Sequence, residues 1–288
     1  MILFCTAAFD QAVDAAARKV SACTRETLQK VVDSYIVAQE TGDITKALLA
    51  DNVKYIENMS EIKKKEGLWN TPLAIDFYRS FLDVLACRTF TEVIVAKGDD
   101  PYVIGTRLRI EGGRISEIDS MVTKKSDWLF NAADYLKYST MEDWRMLNKD
   151  EQVDRETLIR ACNAYFDAFS DRAVKVPFNK PCARLEGGMY TAKNFDDPNA
   201  SCSVGFPEGD DKLPILKRDY VVDVDMGVVN IFCRFGRPPG MPDSHTFRVV
   251  NGKIRYVHTL TPGVLGLDFN AIMGPPNRAK AKVPLSVQ

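Results

Sequence analysis

"TRETLQKVVDSYIVAQ" (residues 24–39) and "DRETLIRACNAYFDAF" (154–169) are two versions of one segment. Arg25, Glu26, Thr27, Leu28, Tyr35 and Ala38 stand over Arg155, Glu156, Thr157, Leu158, Tyr165 and Ala168, 130 positions further on. Three more matches follow in the same order. "DNVKYIEN" (51–58) meets "PCARLEGG" (181–188), with a one-residue slip that brings Glu57 over Glu186. "CRTFTEVIV" (87–95) meets "KRDYVVDVD" (217–225) at the 130 spacing, and "RIEGGRISEID" (109–119) meets "RVVNGKIRYVH" (248–258) at 139. Ordered self-similarity of this kind marks a duplicated unit. The second copy carries about nine extra residues, and "FGRPPGMPDS" (235–244) is the obvious insertion.

Each copy reads alike. Leu28, Val31, Val32, Tyr35 and Ala38 recur at helical spacing behind Thr24, a capping residue with Thr27 as a weak box partner. A short second helix follows, then a strand, "VKYIE" or "ARLEG". In the first copy "TPLAIDFYRSFLDVLA" (71–86) reads as a third helix with Pro72 in its first turn. The alternating stretches "TFTEVIVAK", "YVIGTRLRIE" and "GRISEIDSMVT" read as strands, the last two joined by a Gly-Gly turn. The second copy replaces the third helix by a loop rich in Gly, Pro, Asp and Asn (191–214). Helices first and an antiparallel sheet after give an α+β class. The expected division is an N-terminal segment (1–22), a first unit (23–126), a linker (127–152), a second unit (153–262) and a C-terminal tail (263–288).

Composition narrows the function. With 45% hydrophobic residues, 288 residues can bury a core in each unit, and a net charge of −1 with no basic stripe argues against a nucleic-acid partner. No apolar run is long enough to span a bilayer. "MILFCTAAF" is short and soon followed by Asp10 and Asp14, yet "VSA" before Cys23 has the form of a cleavage site. It reads as a degenerate signal or a leading helix: secreted or endomembrane if cleaved, cytoplasmic otherwise. Of seven cysteines, Cys23 and Cys87, and Cys182 and Cys202, could pair, but sequence alone leaves connectivity open. No CxxC or HxxxH spacing suggests a metal, and no phosphate loop or dinucleotide fingerprint suggests a cofactor, so neither is expected.

The motifs "CTRETL", "ADNVKYIEN", "YVIGTRLRI", "GGRISEID", "DWLFNA", "PCARLEGGMYT", "DSHTFRV" and "GKIRYVHT" resemble, over roughly residues 23–262, a fungal family of tandem SnoaL-like domains. Their fold is the cone of nuclear transport factor two, shared with SnoaL-like polyketide cyclases, scytalone dehydratase and ketosteroid isomerase. The resemblance implies two cone-shaped units, each with N-terminal helices on a curved antiparallel sheet around a mostly apolar pocket. Single domains of this kind commonly dimerise through the outer faces of their sheets. A duplicated chain would form that pseudo-dimer within itself, with two non-equivalent pockets, and a further homodimer stays open. Fold alone does not fix a reaction.

The candidate chemistry starts from the only two histidines, His245 and His258. A two-residue turn at Asn251-Gly252 would set them directly opposite on one face, roughly 5 Å apart, which suits acid–base work. Strand alternation groups Ile254, Tyr256, His258 and Leu260, and likewise Ile115, Glu117, Asp119 and Met121, so Asp119 is the first copy's counterpart of His258. Glu186 and Glu57 end the first strand of each copy, at the pocket mouth. The catalytic set is His258, His245, Asp119 and Glu186, with Glu57, Tyr55, Arg79, Arg184, Tyr190 and Tyr256 available to orient a substrate. Trp69, Trp128 and Trp144 read as packing, and Cys162 as a small core residue. The leading expectation is a cofactor-independent dehydratase, isomerase or cyclase of secondary metabolism. It would act on a small apolar polyketide or terpenoid and could release a reactive intermediate whose cycloaddition the pocket guides. The alternative is a non-catalytic small-molecule-binding or interaction protein on the same scaffold, secreted if the N-terminal segment is cleaved.

Overall fold

A computed structural model of the chain describes residues 23–194, 196–206 and 212–263. The segment 1–22 and all of the tail beyond Gly263 lie outside the described residues. Helix α1 (Arg25–Thr41) is followed by a 3-10 turn (Ile44–Lys46), β1 (Leu49–Glu57), β2 (Ser60–Glu61), β3 (Phe77–Asp83), β4 (Arg88–Val95), β5 (Tyr102–Glu111) and β6 (Arg114–Lys124). Helix α2 (Ala132–Met141) bridges to the second set: α3 (Arg155–Asp167), β7 (Phe178–Glu186), β8 (Met189–Tyr190), β9 (Ile215–Asp223), β10 (Val228–Phe235), β11 (Met241–Val250) and β12 (Lys253–Leu260). The two six-stranded sheets have the same order, β2-β1-β6-β5-β4-β3 and β8-β7-β12-β11-β10-β9. In each, the first long strand runs parallel to the last and the rest pair antiparallel. The molecule is thus α+β, built of two tandem units with one topology.

The helices form where capping and periodicity place them. Thr24 accepts from the Thr27 N–H and Asp154 from the Thr157 N–H, and Gly42 at φ 63° ends α1 in the left-handed conformation. Leu28, Val31, Val32 and Tyr35 bury against Ile104, Leu108, Ile115 and Ile118 on the concave face of the first sheet. Leu158, Cys162, Tyr165 and Phe166 do the same against Ile231, Phe247 and Val257 of the second. The concave side of each sheet, closed by its helix, is called a cup below.

Segment 71–86 departs from the helical expectation: its second half is strand β3, paired along seven residues from Phe77↔Ile94 to Asp83↔Arg88. The open edge of β4 needs a partner for its N–H and C=O groups, and that tertiary demand overrides helical periodicity. Among the described residues the second copy's loop therefore replaces no α-helix of the first; β9 is the counterpart of β3. "KRDYVVDVD" belongs with β3 rather than with β4. The extra residues lie between β8 and β9, and of "FGRPPGMPDS" only 236–240 joins β10 to β11, the rest being strand.

The terminal hairpins separate the two histidines. Both turns have the positive φ that a two-residue turn requires, at Gly112-Gly113 and at Asn251-Gly252. A short way beyond each turn lies a bulge: Ile110↔Ile115 gives way to Arg109↔Glu117, and Val249↔Ile254 to Arg248↔Tyr256. One extra residue, Ser116 or Arg255, reverses the facing of everything after it. His258 therefore opposes Thr246, and His245 opposes Thr259. The two imidazoles lie on opposite faces of the sheet and do not meet. The four-residue faces inferred from strict alternation break at the same point: Ile115 and Ile254 join the concave cores, whereas Met121, Tyr256 and Leu260 pack on the outer side.

The outer faces pack against each other. Phe81, Phe90 and Met121 meet Val221, Val228 and Phe232 in a shared apolar cluster. Two reciprocal clasps flank it. Arg25 of α1 reaches Asp223 at 2.7 Å, and Arg155 of α3 reaches Asp83 at 2.8 Å. Each carboxylate is wholly buried and also accepts one backbone N–H from across the seam, Leu82 to Asp223 and Val222 to Asp83, both at 2.8 Å. Residue i touching j while j's counterpart touches i's counterpart is the pattern of a two-fold dimer, here within one chain. Cys23–Cys87 and Cys182–Cys202 are disulfide-bonded.

Candidate functional site

Equivalent positions of the two cups carry different chemistry. In the first, Tyr35 Oη lies 2.8 Å from Thr106 Oγ1, which lies 2.9 Å from Ser120 Oγ. Tyr55 Oη donates to Glu57 (2.8 Å), which also accepts the Leu68 N–H (3.0 Å). Trp69 stacks on Tyr55 at 4.5 Å between ring centroids, and a Cβ at Gly67 would stand 2.0 Å from the Tyr55 ring. The predicted pair Tyr55 and Glu57 is thus together, in a cup packed with aromatic side chains.

In the second cup Tyr165 stands for Tyr35, Arg184 for Tyr55, Glu186 for Glu57 and His245 for Thr106. Arg184 donates to Glu186 (2.7 Å) and to Tyr165 Oη (3.2 Å), while Trp128 Nε1 donates to the other Glu186 oxygen (2.8 Å). His245 Nδ1 lies 2.7 Å from Asp243 Oδ1, and Asp243 Oδ2 accepts from Thr261 Oγ1 (2.8 Å). Cys233 is the cross-strand partner of Asp243. One donor atom from each of Cys233, Asp243 and His245 falls within 4.8 Å of the other two. The Nδ1–Oδ1 distance is that of an ion pair, yet neither atom has a hydrogen-bond partner of acceptable geometry, and Arg184 Nε also lacks one. His245 and Asp243 are each 3% exposed. Phe166 meets the His245 ring edge-on at 4.9 Å, and Phe235 and Phe247 lie nearly parallel to it at 6.2 and 5.8 Å. Burial pushes the Tyr165 hydroxyl and the Cys233 thiol up, so both keep their protons at neutral pH. A cavity of about 280 Å³ opens at the end of α3, with Arg172 and Lys175 among its lining residues. Two other lining residues, Phe178 and Phe206, pack on Tyr165 at 6.2 and 5.0 Å.

His258 sits elsewhere, in the seam between the sheets. Its Nδ1 lies 3.0 Å from Glu92 Oε2 and its Nε2 2.6 Å from Glu142 Oε2. Tyr135 (2.7 Å) and Ser139 (3.1 Å) also donate to Glu92, and Trp144 Nε1 (2.8 Å) and Tyr190 Oη (3.0 Å) to Glu142. Burial alone would lower the imidazole pKa, but the two carboxylates outweigh it and raise it to about 9. Burial would likewise raise Glu92, and the imidazolium instead holds it at about 2. Arg79 donates to the Ser139 carbonyl (2.8 Å) and hydroxyl (2.7 Å) and lies over Trp144. Tyr256 packs against Trp144. Three expected substrate-orienting residues, Arg79, Tyr190 and Tyr256, therefore surround His258 in the seam rather than in either cup.

Asp119 lies in a further place, on the outer face, where burial raises its carboxyl to about 6 against the pull of Arg107. Arg107 crosses the seam to the Asn230 side chain at 2.8 Å. The ten candidates thus divide among two cups and two parts of the seam. The sequence reading missed Asp243, Cys233 and Tyr165 in the second cup, and Glu92, Glu142 and Tyr135 around His258. Asp243 was within reach, because Asp-x-His in a strand puts both side chains on one face. The others depend on strand register or on the seam.

The model of a domain of unknown function (DUF8021) matches residues 151–261. No curated protein matches the chain. Among solved structures, a candidate SnoaL-like polyketide cyclase from Jannaschia sp. is 17% identical over 46% of this chain and 99% of its own, with a TM-score of 0.29. An NTF-2 like protein of unknown function from Burkholderia xenovorans is 14% identical over 40% of this chain and 89% of its own, with a TM-score of 0.28. AclR from Streptomyces galilaeus, described as a candidate hydroxylase, is 10% identical over 35% of this chain and 91% of its own, with a TM-score of 0.27. The two-unit α+β arrangement expected from the sequence repeat is present: both sheets have one strand order. No described helix is long and apolar enough to cross a membrane.

Proposed function

We propose that the chain is an enzyme that moves protons on a small, largely apolar polyketide or terpenoid held in the second cup, in a dehydration, isomerisation or cyclisation. One observation carries this reading. The positions occupied by Thr106 and Tyr55 in the first cup hold His245 and Arg184 in the second, with Asp243, Glu186 and Tyr165 in contact and aromatic side chains around them. An imidazole braced by a carboxylate is suited to general acid–base work, and an apolar surround supplies shape and excludes water. His245 is the proton-handling group on this reading, with Asp243 holding its ring, and Arg184 with Tyr165 steadies a developing oxyanion. His258 holds the two units together and does not meet substrate. No redox or nucleotide cofactor is needed for such chemistry.

The test is a panel of polyketide and terpenoid precursors incubated with the full chain and followed by mass spectrometry. A compound consumed by the wild type should survive His245→Asn and Arg184→Gln. Full turnover by His245→Asn would sink the acid–base role. A second reading is a non-catalytic carrier in an oxidising compartment, favoured by the two disulfides. Tight binding of a panel member with no conversion would support it.

A further inference from the structure

We infer that Cys233, Asp243 and His245 form a binding site for one divalent transition-metal ion of the zinc class. The inference shares with the proposed function the second cup and two side chains, His245 and Asp243, and goes beyond its acid–base chemistry. With an ion bound these two are ligands, so the acid–base role belongs to the metal-free chain.

The backbone builds the site. Asp243 and His245 are two apart on β11, so both side chains fall on one face, and Cys233 stands directly across from Asp243 on β10. Three donors on two hydrogen-bonded strands are held by the sheet itself. A tetrahedral ion with bonds of about 2.0–2.3 Å sets its ligand atoms roughly 3.3–3.7 Å apart. The three donor atoms here lie within 4.8 Å of one another, with nitrogen and oxygen at 2.7 Å, so modest side-chain rotation would complete the geometry.

Two orphaned atoms point the same way. Asp243 Oδ1 and His245 Nδ1 are buried, adjacent and without hydrogen bonds. A buried polar atom without a partner is costly, and two side by side call for a shared one. An ion accepting both lone pairs supplies it. Thr261 Oγ1 already holds the other Asp243 oxygen, as an outer partner does for a ligating carboxylate.

Charge and softness agree. A thiolate and a carboxylate balance a divalent ion, and the neutral imidazole adds nothing, so the loaded site is electrically neutral in its buried setting. Thiolate with imidazole selects zinc, cobalt or their neighbours over magnesium and calcium. Three protein ligands leave one coordination position open, as in zinc sites that polarise a substrate or water. The first cup has Val93, Ile104 and Thr106 at the same three positions, none able to ligate such an ion in this way. All three donors therefore belong to one copy alone.

The probe is cobalt(II), added to the full chain after chelator treatment. One equivalent should bind and give both tetrahedral d–d bands and a thiolate-to-cobalt charge-transfer band. The double variant Cys5→Ala/Cys162→Ala, which leaves Cys233 as the only cysteine outside the two disulfides, should keep the spectrum. Cys233→Ser should lose the charge-transfer band and bind zinc roughly a hundredfold more weakly or worse. Zinc titration calorimetry in two buffers should show proton release as the thiol ionises. No stoichiometric cobalt uptake, a spectrum without the thiolate band, or its loss in the double variant would overturn the site. These readouts on the wild type and double variant decide even if Cys233→Ser does not fold. Turnover by the chelated chain would leave the acid–base reading standing whatever cobalt shows.

Discussion

Replacing His258 by leucine should loosen the seam between the units, with a magnitude that depends on pH. The imidazolium lies between Glu92 and Glu142, and its removal leaves two buried carboxylates without their shared cation. The gap between an ordinary histidine value of 6.5 and the buried value of about 9 corresponds to about 3 kcal/mol, since each pKa unit is worth about 1.4 kcal/mol. That figure sits at the lower end of the roughly 3–5 kcal/mol typical of breaking a buried ion pair. For a protein of this size about 1 kcal/mol moves the melting temperature by roughly 2–4 °C, so His258→Leu should melt roughly 6–12 °C lower at pH 6. Because the folded-state pKa is raised, the contribution is full below 6.5 and disappears as pH climbs through about 9. Glu92 works in the opposite sense: held at about 2 against 4.5, it contributes above 4.5 and its share is lost as pH falls through 2. Melting curves of both proteins by circular dichroism between pH 4 and 9.5 should therefore lie furthest apart near pH 5–6.5 and converge at the alkaline end. Curves that coincide at pH 6, or a gap that stays constant to pH 9.5, would refute the imidazolium bridge.

The two clasps should respond alike. Arg25→Ala and Arg155→Ala each strip a buried aspartate of its cation, leaving only backbone N–H donors, and each should cost roughly 1–3 kcal/mol in urea unfolding; costs differing by more than about 2 kcal/mol would contradict two-fold equivalence. Asp119→Asn should stabilise the chain above pH 7 and do little at pH 4. Its carboxyl, raised to about 6 in the folded state, prefers to be protonated there, so ionisation between 3.8 and 6 opposes folding. A loss of stability at pH 8 in that variant would show that its attraction to Arg107 outweighs its burial.

Much of the scaffold was legible because duplication leaves its mark in linear order. Arg25 over Arg155 was readable from spacing alone and Glu57 over Glu186 with a one-residue slip, and the Gly-Gly and Asn-Gly turns located both terminal hairpins. The bulges were not legible. Ser116 and Arg255 carry no glycine or proline to announce an extra residue, yet each turns the rest of its strand around, which is why the expected imidazole pair separates into a cup and a seam. Segment 71–86 misled for a related reason: its apolar spacing fits a helix, but β4 required an edge partner. Local spacing also argued against a metal, because Cys233, Asp243 and His245 become neighbours only through the β10–β11 register. Glu92 and Glu142 were invisible as partners of His258, since each arrives from a different part of the fold.

The reciprocal packing of the two sheets inside a single polypeptide has an evolutionary reach. In an assembly of identical subunits every new side chain arrives in both chambers at once, and a charge tolerable in one must be tolerable in its twin. Tethered twins are released from that bookkeeping. One chamber here kept Trp69 stacked on Tyr55 and neutral hydroxyls behind it, and the other was free to gather an arginine, an aspartate, a histidine and a thiol without endangering its sibling.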